Sequence, residues 1–117
     1  MSTTVVFGGS GFLGSHVADA LSEADFEVLI FDRVASPYLR DDQKMIVGDI
    51  ADLDAVKEAT AGAKYVFNFA GLADINEARF KPIDTAQSNI MGNLNVLEAC
   101  REANVRRFVL ASTVYVY

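Results

Sequence analysis

The chain has 117 residues, enough for one domain and short for two. It is 51% hydrophobic, so it can bury a core, and 16 acidic against 10 basic residues leave a net charge of −6. That balance, with no basic run, excludes general nucleic-acid binding and an anionic membrane surface. The single Cys100 and single His16 exclude an intrachain disulfide and a Cys/His zinc cluster. The start lacks a secretory signal pattern and no apolar run spans a bilayer, which predicts a soluble cytoplasmic protein.

Thr4 to Phe7 is a short apolar run that stops at glycines and predicts a buried strand. Leu13, Val17, Leu21 and Ala24 then recur at helical spacing. Glu27 to Asp32 carries Val28-Leu29-Ile30-Phe31, a second strand, followed by a charged loop from Arg33 to Gln43. Lys44 to Gly48 predicts a third strand. Asp52 is placed to cap a helix that ends at Gly62. Lys64 to Ala70 predicts the fourth strand, and Gly71 to Thr85, with Pro82, a loop. A long helix over Ala86 to Ala103 leads to a fifth strand, Arg107 to Ser112.

Strands without polar alternation are covered on both faces, and strands separated by helices form right-handed crossovers. The fold class is therefore α/β: a Rossmann-type doubly wound parallel sheet of five strands, in the order 3-2-1-4-5.

The first turn reads Gly8-Gly9-Ser10-Gly11-Phe12-Leu13-Gly14. Gly8 suits a tight exit from the strand, Gly11 a close approach of backbone to a pyrophosphate, and Gly14 close packing of helix on sheet. Backbone N–H groups at Phe12, Leu13 and Gly14 would face the phosphates with the positive end of the helix dipole. Asp32 closes the second strand at the spacing, about 20 residues on, where a carboxylate accepts from the adenosine ribose hydroxyls. Such a carboxylate repels a 2′-phosphate and favours NAD over NADP. The adjacent Arg33 pulls the other way. Without a ligand, the same pattern is a tight turn with Asp32 as a cap. After the third strand, Asp49 can bond the adenine amino group while Ile50 packs on the ring, or Asp49 can simply form the turn.

The glycine loop, Asp32 and Gly48-Asp49-Ile50 together resemble the extended short-chain dehydrogenase/reductase family. Asn68-Phe69-Ala70-Gly71-Leu72, Asn89-Ile90-Met91-Gly92-Asn93 and Ala111-Ser112-Thr113 are similar to further landmarks of that family, so the likeness covers essentially the whole chain. The resemblance implies that Phe69, Ala70, Gly71 and Asn89 lie against the cofactor and that Thr113 is the hydroxyl that aligns a substrate. Within the family, the chain looks most like NAD-dependent nucleotide-sugar epimerases of the UDP-glucose/UDP-galactose 4-epimerase type. Those oxidise a sugar C4 hydroxyl by hydride transfer, turn the keto sugar and reduce it again. Val114 and Tyr115 stand where sugar dehydratases of the family usually carry an Asp-Glu pair, which argues against dehydration. Phe7 in place of a threonine and Ala73 in place of a lysine also depart from the pattern, and the sugar stays open.

The family's base is a tyrosine activated by a lysine four residues later. Tyr38 is followed there by Asp42 and Tyr65 by Phe69, and neither Tyr115 nor Tyr117 has such a lysine. The expectation is that residues 1–117 are the N-terminal portion of an NAD-binding domain, truncated after the fifth strand and inactive alone, with a nucleotide-sugar substrate for the full-length parent. Phe108 to Tyr117 would then be an apolar edge that predicts homodimerisation or edge-strand association. The alternatives are a non-enzymatic dinucleotide-binding or sensing module and an interaction domain with an unused glycine loop. His16 is expected to be structural, Cys100 a small core residue, and the clustered aspartates solvated surface rather than a metal site.

Overall fold

The computed structural model describes residues 3–70, 79 and 82–111, with the side chains of 85–88 left aside. The elements are β1 (Thr3–Phe7), α1 (Phe12–Glu23), β2 (Glu27–Asp32), β3 (Gln43–Val47), α2 (Leu53–Thr60), β4 (Tyr65–Asn68), α3 (Pro82–Ala86), a π-helical turn (Gln87–Met91), α4 (Gly92–Glu102) and β5 (Arg107–Leu110). The strands form one sheet in the order β3-β2-β1-β4-β5, as the sequence predicts. All four pairings are parallel, with Val5 opposite Leu29 on one side and Val66 on the other.

The period-2 alternation of strand side chains divides the interior into two cores. Val5 and Phe7 of β1, Phe31 of β2 and Val66 of β4 point to the face covered by α2 and α4, where Val56, Ala59, Val96, Ala99 and Cys100 meet them. Val6, Val28 and Ile30 point to the opposite face and pack with Ala18 of α1. Phe7 and Phe31 carry the first core, their rings 5.0 Å apart and tilted. This division is why the central strands read as unbroken apolar runs.

Local departures from the sequence reading have local causes. The fully buried stripe of α1 is Gly14, Ser15, Ala18 and Ser22, and of Leu13, Val17, Leu21 and Ala24 it is Leu21 that packs, partly buried, against the core. Small residues let that helix lie close to the sheet, while Leu13 stays 53% exposed. The fourth strand stops at Asn68, short of Ala70, because the Ala70 N–H turns to the Asn68 side chain. Pro82, predicted in a loop, opens α3 instead, where its fixed φ suits the first helical position and its missing N–H costs nothing. On α4 the apolar residues split: Val96, Ala99 and Cys100 face the core, whereas Leu94 and Leu97 are exposed. Asp52 caps α2, its side chain accepting from the Ala55 N–H at 3.2 Å.

Two outcomes follow from this core. Phe31→Ala should remove about 3–5 kcal/mol of stability, read by urea denaturation. Burial pushes the Cys100 thiol up to about 11 from its ordinary value of 9.0. The unfolded thiol ionises first, so stability should fall as pH rises from about 9 to 11, and the fall should be smaller in Cys100→Ala.

Candidate functional site

In a doubly wound sheet, ligands bind beyond the carboxyl ends of the strands where the chain order reverses. Here that point lies between β1 and β4, so the glycine loop after β1 and the exit of β4 face each other. Gly8 holds the left-handed φ of +78°. Its N–H donates to the Phe31 carbonyl at 2.8 Å, and the Gly11 N–H donates back to the Gly8 carbonyl at 3.2 Å. A Cβ on Gly8 would fall 2.6 Å from the Phe69 carbonyl carbon and 2.7 Å from the Ala70 nitrogen. Gly14 is tied by packing alone: a Cβ there would strike the Gly8 carbonyl and lie 2.9 Å from the Gly9 Cα.

Gly11 differs from both. Its φ of −78° suits any residue, and a Cβ there would meet only the Gly8 carbonyl oxygen, at 3.5 Å. The protein itself does not require glycine at this position. The space in front of it is open, as a phosphate-bearing ligand would need.

Two of the helix starts at this end of the sheet are built differently. Asp52 caps α2 and Asp54 adds a carboxylate in its first turn. Gly11 at the start of α1 supplies no side-chain cap, and the first turn holds no acid. The N–H dipoles of Phe12, Leu13 and Gly14 are thus left for an anion, without any lysine or arginine in the loop. The side chains of Phe12 and Leu13 are exposed, and the His16 ring sits edge-on to Phe12 at 4.8 Å.

Asp32, at the end of β2, is clamped. One carboxylate oxygen accepts from the Ser10 N–H at 3.0 Å and the other from the Val34 N–H at 3.2 Å. The Ser10 hydroxyl donates to the Val34 carbonyl at 2.6 Å and closes the ring of contacts. The carboxylate so fixed retains lone pairs for ribose hydroxyls. Ser10 was not singled out by sequence reading. The available signal was a lone hydroxyl between glycines in a loop that has no core position for it.

Asp49 does two things. One oxygen accepts from the Ala51 N–H at 2.9 Å, which makes it a turn former, and the other lies 3.8 Å from the Arg33 guanidinium. Arg33 therefore leans towards Asp49 in an exposed pair of small energetic weight. Ile50 is placed in the core rather than on an open face: it is 5% exposed, and a Cβ on Gly92 would lie 2.6 Å from its Cγ1.

On the other side, the Phe69 N–H donates to the Phe7 carbonyl at 2.8 Å, and the Phe69 ring stacks on Phe67. Asn89 lies in the π turn, and its carbonyl accepts from the Asn93 side chain at 2.7 Å. Gly71 and Thr113 lie outside the described residues. Among the described residues, no group of three or more His, Cys, Asp or Glu is placed to hold a metal, and no helix is long and apolar enough to cross a membrane.

The parallel sheet and the glycine turn at its reversal point define a Rossmann-type domain. The chain belongs to the NAD-dependent epimerase/dehydratase family, whose model matches residues 4–117. It is 31% identical to a UDP-glucose 4-epimerase of Schizosaccharomyces pombe, over 98% of this chain and 36% of the relative. It is 34% identical to the human 3 beta-hydroxysteroid dehydrogenase type 7, over 96% of this chain and 32% of that protein. The crystal structure of a Thermus thermophilus UDP-glucose 4-epimerase in complex with NAD superposes with a TM-score of 0.86 at 30% identity, covering 95% of this chain and 37% of that one. The chain thus spans about a third of the length of these relatives.

The contrast between the glycines is testable. Gly14→Ala should cost about 1–3 kcal/mol of stability, because backbone must move aside. Gly11→Ala should cost about 1 kcal/mol or less, as a poorer helix cap, yet weaken binding of an anionic ligand. Urea denaturation and a pyrophosphate titration distinguish the two.

Proposed function

We propose that this chain binds NAD, and that it forms the cofactor-binding part of an enzyme that epimerises a nucleotide sugar at C4 by transient hydride transfer. The observation that carries the reading is the combination at one sheet end of an uncapped α1, a glycine with open space before it and a clamped Asp32. The residues fit the cofactor: the first-turn N–H groups of α1 suit its pyrophosphate, and Asp32 suits its adenosine ribose. When bound, NAD would accept a hydride from the sugar and return it.

The chain's own contribution is holding and discriminating. Asp32, clamped by backbone N–H groups, would set a negative charge against a 2′-phosphate, which favours NAD over NADP. Thr113 would align the sugar hydroxyl. The 117 residues contain no tyrosine followed four residues later by lysine, so the proton of that hydroxyl has no evident acceptor here, and the chain alone should not turn over substrate. The sugar assignment draws on the epimerase relatives. The hydroxysteroid dehydrogenase relative indicates that one cofactor half can serve another secondary alcohol, so substrate choice rests on other residues.

Calorimetric titration of the 117-residue chain tests the reading. NAD should bind more tightly than NADP by tenfold or more. Asp32→Ala should weaken NAD by about 10–100-fold and shrink the preference, since a charged hydrogen-bond acceptor is worth about 1.5–3 kcal/mol. No binding at millimolar NAD would leave the glycine loop as a purely structural turn.

A further inference from the structure

The helical stretch from Pro82 to Glu102 is not uniform, because the turn Gln87–Met91 is π-helical. A π turn shifts carbonyls off the regular hydrogen-bond ladder and tends to occur where a helix serves a site. The Asn89 carbonyl, in that turn, accepts from Asn93 Nδ2. Asn93 Oδ1 accepts in turn from Asn68 Nδ2, and Asn68 Oδ1 accepts from the Ala70 N–H at 3.0 Å. Three hydrogen bonds thus run in one sense from the exit of β4 to the π turn.

The direction of both amides is fixed by the ends. A backbone N–H can only donate and a carbonyl can only accept, so neither side chain can flip without breaking a bond at each end. The aligned dipoles strengthen one another in a water-poor setting. Asn68 is fully buried beside Val66, where an apolar residue would satisfy packing without the cost of desolvating an amide. The relay therefore does something that filling the core does not require.

What it holds is the segment Phe69–Ala70, which lies within contact of Gly8 across the sheet's reversal point. Asp32 and Asp49 stand on the β2–β3 side of that crevice, the adenosine side. The relay stands on the β4 side, where the second half of a dinucleotide would lie. We propose that Asn93 is a positioning residue: through Asn68 it locks the β4 exit to the π turn and so sets the nicotinamide-side wall of the crevice. The proposal rests on the NAD reading above.

The test compares NAD with ADP, which carries only the adenosine and pyrophosphate groups, on the 117-residue chain. Wild type should bind NAD more tightly than ADP. Asn93→Asp keeps size and acceptor but loses the donor and sets a carboxylate against the Asn89 carbonyl. It should weaken NAD by about tenfold, the scale of one lost buried hydrogen bond, and leave ADP within about twofold. The Ala70 amide should exchange with solvent about tenfold faster. Asn68→Leu/Asn93→Leu keeps the core filled and removes the relay. It should reproduce the NAD loss and likewise leave ADP within about twofold.

Equal losses for NAD and ADP that track melting temperature would mean a merely structural relay and overturn the proposal. Unchanged NAD binding in both variants overturns it as well, as does equal affinity of wild type for the two ligands. A wild-type chain that binds neither ligand overturns the NAD reading itself, and the positioning role with it.

Discussion

At Gly8 the backbones of three strands converge. The residue ends β1 with φ at +78°, takes the carbonyl of Phe31 from β2, and leaves no room for a Cβ against Phe69 and Ala70 beyond β4. A side chain at this point would push the strands apart just where the sheet changes direction. The space it leaves lets the glycine loop fold back on itself, and that return puts the start of α1 over the end of the sheet. The positions of Gly14, Ser10 and Asp32 all depend on this turn, since each is held by contact with the loop it begins.

The electrostatics follow from the same placement. A chain with net charge −6 has little long-range attraction for a pyrophosphate. Attraction must be local, from oriented N–H groups with no side-chain cap and no acid in the same helical turn. The uncapped first turn of α1 provides that, and the capped, acidic first turn of α2 does not. Negative charge is instead kept at Asp32 and Asp49, on the side where ribose and adenine would donate hydrogen bonds. Donors and acceptors are thus sorted along one crevice by backbone geometry more than by charged side chains.

Much of this was legible from the residues. Unbroken apolar strands between helices fixed the doubly wound sheet, because only burial on both faces makes such runs. The glycine spacing located the turn, and Asp32 its acidic partner. What was not legible depends on contacts between distant segments. Nothing local in Gly-Gly-Ser-Gly says that Ser10 reaches Val34, 24 positions away. Ile50 looked free to meet a ring because its burial against Gly92 joins segments with no shared pattern. Pro82 read as a loop signal, though the same ring is equally suited to open a helix.

The π turn shows the limit most sharply. A regular helix and one interrupted by a single wider turn have nearly the same composition, so Gln87–Met91 could be read only as helix. Its trace lies in the asparagines. Asn89 contributes only its backbone carbonyl to the relay, whereas Asn68 and Asn93 stand where apolar or strong helix-forming residues would serve packing and propensity better. Each alone is weakly unfavourable. Joined in one directed chain they become mutually satisfied, and the combination ties the β4 exit to the only described helical turn whose carbonyls leave the regular ladder. The two walls of the crevice are therefore fastened by different means. Backbone donors grip a carboxylate on the adenosine side, and paired amides bridge strand and helix on the other. A carboxylate held by N–H groups keeps its charge for a ligand, whereas an amide chain satisfied at both ends keeps its geometry and offers no charge. That asymmetry suits a cleft that must recognise one half of a dinucleotide chemically and hold the space for the other.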